Sequence, residues 1–312
     1  MMPYFKASWS WSSLLLAAVL SACTSTFVQV IDPASVPRQD TELVIHCYIS
    51  PQDTVLTAIV GQSRTVLGEP AKKRTGSTPD ATVTLSNGSR SIELRYDDSQ
   101  KVPLHRVSAR TFPILAGKTY TLKARLSTGE TATATCTVPA PVPIAAVRID
   151  SLPDLTDADG RDYYVNFSWR DPARIANFYR VAGDSEYGTT RTETVKGQPV
   201  TVAIRAVDQV SFEDRLPCLT DQNQNGRSMV SLSGRLPFVY SAGKIQARSP
   251  VLVNAYLLNV DVHYYQYHKS LERAMRAEGN PFAEPALITS NVRGGLGCFG
   301  AYNRSKLTVR FR

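Results

Sequence analysis

The sequence predicts a mainly β protein, two β-sandwich domains in tandem with one α-helix inserted near the C-terminus. Three observations predict it. Short segments alternate apolar and polar residues with turn signals between them, prolines break the chain near its middle, and helical spacing occurs in one late segment only. The composition permits such a build. Of 312 residues 43% are hydrophobic and 20% charged, with 14 Tyr and 10 Phe, enough apolar material for real cores and too little charge for a disordered chain.

The N-terminus reads as an export leader. Leu14 to Leu20 is an unbroken apolar run, shorter than the ~20 residues a membrane span needs. It ends in Leu20-Ser21-Ala22-Cys23, small residues before a cysteine, the pattern of a bacterial lipobox in which the thiol is acylated and the chain is cut before it. Residues 1–22 are then a lipoprotein signal peptide and 23–38 a tether. Cys23 is the lipid attachment site, and acyl chains such as palmitate hold the chain to a membrane, each buried methylene adding ~0.8 kcal/mol.

Residues 39–138 read as an immunoglobulin-like β-sandwich. Glu42 to Ile49 alternates, with Leu43, Ile45, Cys47 and Ile49 on one face and Val44, His46 and Tyr48 on the other. Thr54 to Val60 follows in the same composition. Ala81 to Leu85 and Ser91 to Tyr96 flank Asn87-Gly88, a hairpin signal. Lys118 to Leu126 begins after the turn Ala116-Gly117, and Glu130 to Val138 closes the domain. The segment 139–144, with Pro139, Pro141 and Pro143, is a stiff linker, because proline cannot sit inside a sheet.

Residues 145–312 form the second domain. Tyr163, Val165, Phe167 and Trp169 share one face, followed by Asp171-Pro172 and Phe178-Tyr179-Arg180-Val181, which resembles the early strands of a fibronectin type III domain with Trp169 as core anchor. Ala145 to Asp150, Val202 to Val207, Ser228 to Leu232 and Val251 to Val260 add strands. Over 261–277, Tyr264, Tyr267, Leu271 and Met275 recur at helical spacing, Glu272 and Arg276 form an i,i+4 pair, and Gly279-Asn280-Pro281 stops the helix. A long glycine-rich loop leads to a last strand, Lys306 to Phe311.

Charge and motifs exclude more than they assign. The formal charge of +8 comes from 35 Lys and Arg against 27 Asp and Glu, spread over both halves. Its densest point, Lys72-Lys73-Arg74, lies among Gly, Ser, Thr and Pro without interleaved aromatics, so it reads as a solvated loop and no nucleic-acid partner is expected. Gly295-x-Gly297-x-x-Gly300 lacks the strand, helix and acidic residue of a dinucleotide site, and no cofactor is expected. Asp221, Asn223 and Asn225 with Gly226 look like half a calcium loop, but Leu232 stands at the twelfth position where an acid belongs. A polar hairpin loop is the better reading, and no metal is expected. His46, His105, His263 and His268 do not cluster in sequence, and Asp208, Glu213 and Asp214 read as surface acids. No hydrolase or kinase signature occurs, so no catalytic residue is assigned.

Four cysteines remain beside Cys23. An even number in an oxidising envelope permits two disulfides in three connectivities, and the domain division pairs Cys47 with Cys136 and Cys218 with Cys298; buried thiols are the alternative.

Late in the chain the residues become specific. Tyr264-Tyr265-Gln266-Tyr267-His268-Lys269-Ser270-Leu271-Glu272-Arg273, then Gly279-Asn280-Pro281-Phe282-Ala283-Glu284-Pro285, Ser290-Asn291-Val292 and Gly294-Gly295-Leu296-Gly297-Cys298-Phe299-Gly300 resemble the C-terminal signature of the domain-of-unknown-function-4249 family of Bacteroidota envelope lipoproteins. Asp80 to Leu85, Leu115 to Leu122 and Thr137-Val138-Pro139 agree with it. Cys298 departs from it, standing where an aliphatic residue is more usual. The resemblance implies a protein anchored to the outer membrane by its N-terminal lipid, of no established activity, often encoded near TonB-dependent receptors. Its expected role is that of a non-enzymatic binding or accessory component of such a receptor, with an unidentified ligand. An envelope hydrolase acting on glycan or peptide and a structural adhesin are the competing readings. Which face of the membrane it occupies stays open. The helix and glycine segment, Tyr264 to Gly300, is expected to be either a structural keystone or a contact surface.

Overall fold

Alternation sets the first strand, β1 (Leu43–Ile49), whose odd-numbered residues are buried while Val44, His46 and Tyr48 face the opposite side. The computed structural model describes residues 41–63, 78–153, 161–212, 218–236, 240–241, 244–245, 251–277 and 286–311. The leader, Cys23 and the tether, Lys72-Lys73-Arg74, Glu213 and Asp214, and Asn280, Pro281, Phe282 and Pro285 lie outside them.

The first half continues with β2 (Val55–Gln62), β3 (Thr82–Ser86), β4 (Ser91–Asp97), β5 (Leu104–Ser108), β6 (Thr119–Arg125) and β7 (Thr131–Thr137). At the β3–β4 hairpin Gly88 takes φ 89°, a conformation L side chains resist, and the Asn87 side-chain oxygen accepts from the amides of Ser89 and Arg90. The second half holds β8 (Ile144–Pro153), β9 (Arg161–Arg170), β10 (Phe178–Val195), β11 (Gln198–Gln209), β12 (Ser211–Phe212), β13 (Cys218–Thr220), β14 (Ser228–Val230), β15 (Gly234–Leu236), β16 (Tyr240–Ser241), β17 (Lys244–Ile245) and β18 (Val251–Val260). The helix α1 (Val262–Ala277) and the long strand β19 (Leu296–Phe311) follow. The fold is mainly β with its helix near the C-terminus, as the periodicities predict.

One sheet runs β11-β10-β18-β19-β1-β2-β5-β4-β3-β6-β7, with β13 also on β10. A second, smaller sheet, β12-β15-β9-β14 with β8 on β9, adds strands to the second half. Two hydrophobic cores result. The first gathers Ile45, Leu56, Val83, Leu122 and Ala134 with Phe299 and Ala301 of β19. The second gathers Phe167, Trp169, Tyr179, Val253 and Leu257 from the two sheets, and Trp169 is an anchor there, 1% exposed and edge-on to Tyr179 at 5.1 Å.

β19 belongs to both halves. Its first six residues pair parallel with β1, Val44 opposite Leu296 through Ile49 opposite Ala301, and the remainder pairs antiparallel with β18, Val260 opposite Tyr302 through Val251 opposite Phe311. The glycine-rich stretch expected to be a loop is therefore strand from Leu296 onward. Close approach is the reason: a Cβ on Gly297, at φ 115°, would stand 2.0 Å from the Ile45 carbonyl oxygen, and one on Gly295 would stand 2.3 Å from that of Leu43. Just before it, Arg293 exchanges two backbone hydrogen bonds with Thr133, and the Asn291 amide donates to the carbonyls of Thr135 and Phe299, so the chain entering β19 also closes the free edge of β7. The proline segment is stitched down too: Asn259 and Asn303 donate to the carbonyls of Ala140 and Pro139.

Gly297→Ala is expected to cost at least about 3 kcal/mol in urea unfolding, since it combines a steric clash with a strained φ. Gly88→Ala, strained but open around its Cβ, is expected to cost only about 1–2 kcal/mol. Equal losses at the two positions would refute close approach as the role of Gly297.

Candidate functional site

Asp261 starts the helix. Its Oδ1 accepts from the Tyr264 amide at 2.8 Å, an N-cap that satisfies one of the orphan donors of the first turn. The buried positions are Tyr264, His268 and Glu272, with Ser270 beside them. The apolar stripe expected at Tyr264, Tyr267, Leu271 and Met275 is thus rotated: Tyr267 and Leu271 are half-buried and Met275 is exposed. The surface beneath is the cause, because the sheet face under α1 is itself polar and aromatic.

That face consists of His46 and Tyr48 of β1, Arg180 of β10, and Cys298, Gly300 and Tyr302 of β19. Tyr48 meets Tyr264 edge-on at 5.2 Å and stacks on His268 at 5.4 Å, while Tyr264 and His268 lie 4.3 Å apart. The His46 Nε2 shares a 2.8 Å hydrogen bond with the Tyr267 hydroxyl. The Arg180 guanidinium donates to the Tyr264 hydroxyl and sits 6.0 Å from that ring's centroid. Gly300 lets the helix descend, since its Cβ would come within 3.0 Å of the Tyr264 Cβ. Ser270 donates to the Tyr267 carbonyl at 2.7 Å and accepts from the Thr289 amide at 2.9 Å, tying the returning chain to the helix. Glu272, 8% exposed, pairs with Lys269 at 2.9 Å and Arg276 at 2.6 Å, and although burial alone would raise its pKa, those two partners hold it lowered.

Chemically this cluster is quiet. Burial, with Arg180 and His46 nearby, lowers His268 to about 4 and leaves it neutral, and burial with the Asp261 charge raises Cys298 to about 12, a protonated thiol. Burial likewise raises Cys47 and Cys136. The disulfides expected between Cys47 and Cys136 and between Cys218 and Cys298 are corrected: all four are buried thiols, and Cys298 Sγ points at the His263 carbonyl, 3.8 Å away. Among the described residues no three His, Cys, Asp or Glu side chains gather as a metal would require.

The half calcium loop folds on itself. The Asn225 amide donates to Asp221 Oδ2 at 3.0 Å and to the Ile175 carbonyl at 2.7 Å, and Asn225 Oδ1 accepts from the Arg174 amide at 2.7 Å. Asn223 takes φ 68° at the turn. A donor therefore occupies the one carboxylate, and Asp221, Asn223 and Asn225 do not form an oxygen cage. Asp208 accepts the Tyr187 hydroxyl at 2.5 Å, a structural contact. His105 is buried and bonds the Ala81 carbonyl through Nε2 at 2.9 Å.

Beside the helix start lies a cleft of about 390 Å³ between the end of β7, the proline segment, the loop into β10 and the β18–α1 junction. Pro139, Ala140, Pro172, Ile175 and Phe178 give it apolar walls. Thr135, Thr137, His263, Asn177, Asn259 and Asp261 supply its polar groups, and none of Asn177 Oδ1, Asn259 Oδ1 and Asp261 Oδ2 has a hydrogen-bond partner. Burial raises Asp261 to about 7; the Tyr264 amide bonded to Oδ1 pulls the other way, as do the nearby Ala301 and Thr137 amides, neither of which makes a hydrogen bond to Oδ2. Sequence reasoning found Asp261 only as the head of a helix and missed the two asparagines, which come from strand ends that only the fold brings together. A second cleft, of about 580 Å³, lies between β7, α1 and residues 289–293, but its Asn291 is already committed to backbone partners.

The two shifted groups act on stability in opposite directions. Asp261 holds its proton to about pH 7 when folded and to about 3.8 when unfolded, so its contribution falls as pH rises through that window, by up to about 4 kcal/mol. His268, lowered to about 4 from 6.5, has the reverse sign: its contribution is lost as pH falls from 6.5 toward 4. Asp261→Asn keeps a capping oxygen and removes the first effect. Its melting temperature is expected to exceed that of the parent at about pH 8, to approach it at about pH 5, and to rise from about pH 4.5 to 6.5. A variant with no advantage at the higher pH would show that the buried carboxyl carries no such penalty.

Residues 27–308 match the family described as a domain of unknown function, DUF4249. No curated protein matches the chain. The family match spans the first strand, the two cores, the helix and all but the end of β19, and the chain belongs to the DUF4249 family.

Proposed function

We propose that this chain is a lipid-anchored protein of the bacterial outer membrane, a non-enzymatic binding or accessory component of a TonB-dependent receptor system. The observation that carries the anchor is Leu20-Ser21-Ala22-Cys23 at the end of an apolar run too short to span. Membrane attachment then falls to acyl chains on Cys23, and among the described residues no helix is long and apolar enough to cross a membrane.

Support for binding rather than catalysis comes from the chemistry around the helix. His268 and Cys298, groups that a hydrolase would draw on, are held neutral by burial, and the His46–Tyr267 hydrogen bond serves packing. The receptor as partner follows from family context.

Expressed in a host that processes lipoproteins, the chain is expected to incorporate radiolabelled palmitate and to sediment with outer membranes, and Cys23→Ala to lose both. Mild-detergent affinity purification of the parent, but not of the soluble variant, is expected to recover a TonB-dependent receptor. Membrane association and labelling that persist in Cys23→Ala would overturn the anchor, and recovery of no receptor from intact membranes would overturn the accessory role.

A further inference from the structure

The cleft at the β18–α1 junction holds a combination that buried polar groups seldom show. Asn177, Asn259 and Asp261 are 7%, 2% and 9% exposed, and each has a side-chain oxygen with no partner. Leaving one such acceptor dry costs on the order of 1–3 kcal/mol, and proteins avoid it. Three lining one cleft therefore call for a donor-rich occupant.

Two of the three orientations are fixed by hydrogen bonds. Asn259 spends its amide nitrogen on the Ala140 carbonyl at 2.9 Å, which leaves its oxygen as the free group. Asp261 spends Oδ1 on the Tyr264 amide, which leaves Oδ2. An occupant must satisfy oxygen acceptors and bring an apolar body for walls of Pro139, Ala140, Pro172, Ile175 and Phe178. A primary ammonium has three donors and one positive charge, matching two amide oxygens and one carboxylate. A carboxylate or phosphate head would place acceptor against acceptor. A neutral alcohol has a single donor and leaves at least two oxygens unpaired.

We propose that this cleft is a binding site for a small primary amine, whose ammonium group donates to Asp261 Oδ2, Asn177 Oδ1 and Asn259 Oδ1 while its apolar part lies against the prolines, Ile175 and Phe178. The cleft's volume, about 390 Å³, falls at the lower end of the range for small-molecule sites. His263, the other titratable side chain on the rim beside Cys136, is lowered by burial and adds no positive charge to oppose an ammonium at neutral pH. The site goes beyond the accessory role and depends on neither lipid anchor nor receptor.

The test uses the full chain in detergent and three probes of equal length: n-hexylamine hydrochloride, 1-hexanol and sodium hexanoate, titrated by calorimetry at neutral pH. Hexylamine is expected to bind at least tenfold more tightly than hexanol, and hexanoate more weakly than either. Asp261→Asn, which retains a capping oxygen, is expected to weaken hexylamine at least tenfold and leave hexanol unchanged. Asn177→Leu tests the same site without touching the helix cap and is expected to weaken hexylamine by a similar factor. Hexylamine binding no tighter than hexanol, binding indifferent to both substitutions, or no binding of any probe at millimolar concentration, which would mean the oxygens are served by trapped water alone, would each overturn the proposal.

Discussion

The architecture depends on one strand being shared. β19 donates and accepts along β1 over its first six residues and along β18 over the rest, so the backbone hydrogen bonds of each half are completed by the same sixteen-residue segment. A strand that long cannot bend freely between its two sets of partners, because every residue in it is held by the pleat and register of its neighbours. The two cores are consequently joined through backbone rather than through a flexible linker. Phe299 and Ala301 fill the first core, while Val309 and Phe311 pack against the second. The proline segment 139–144 lies along this junction, its Ala140 and Pro139 carbonyls bonded by Asn259 and Asn303 from β18 and β19.

A parallel pairing of β1 with β19 carries a steric condition. Strands about 4.8 Å apart leave no room for a side chain that turns toward the neighbouring carbonyls, and at φ 115° the Gly297 Cβ would do that. The same region must accept a helix on its outer face, where Gly300 admits Tyr264. Glycines at 295, 297 and 300 thus serve two approaches, strand to strand and helix to sheet. The helix brings rings and paired charges rather than aliphatic side chains. His46, Tyr48, Tyr264, Tyr267, His268 and Arg180 replace a greasy seam with hydrogen bonds and with edge-to-face and stacked ring contacts, which are directional and fix the helix in one rotation.

Sequence periodicity reads burial on one face, and it succeeds where one face is what matters. Leu43 to Ile49 and Val251 to Val260 were legible as strands because their apolar residues report a single core, and the helix was legible because its spacing changes from two to nearly four and ends at Gly279. β5 was not: Leu104-His105-Arg106-Val107-Ser108 is short, and its buried inward residue is a histidine bonded to the Ala81 carbonyl, which reads as polar. The first half of β19 was hidden for another reason, since Gly295, Gly297 and Gly300 look like loop residues until a close neighbour requires them. The helix rotation is not legible because apolarity marks the buried side only over an apolar surface, whereas a sheet face bearing His46, Tyr48 and Arg180 selects partners by hydrogen bonding. The cleft could not be read at all. Asn177 precedes one strand and Asn259 lies near the end of another, and no spacing rule connects them to Asp261.

Asp261 joins the cleft to the rest of the fold. One carboxylate oxygen holds the first turn of α1 and the other, without a partner, belongs to the wall of the cleft that Asp261 lines, so a single charge serves both. An ionised carboxylate is the stronger acceptor at a helix N-terminus, where the macrodipole favours negative charge, yet burial here opposes ionisation and raises the group to about 7. A cation in the cleft offsets that burial cost and shifts Asp261 toward its charged form, which strengthens the cap. The helix so capped is the element that covers the β1–β19 seam through Tyr264 and His268. An occupied cleft would therefore stabilise the junction of the two halves as well as its own walls, in proportion to how much more tightly the folded state holds the cation than the unfolded chain does.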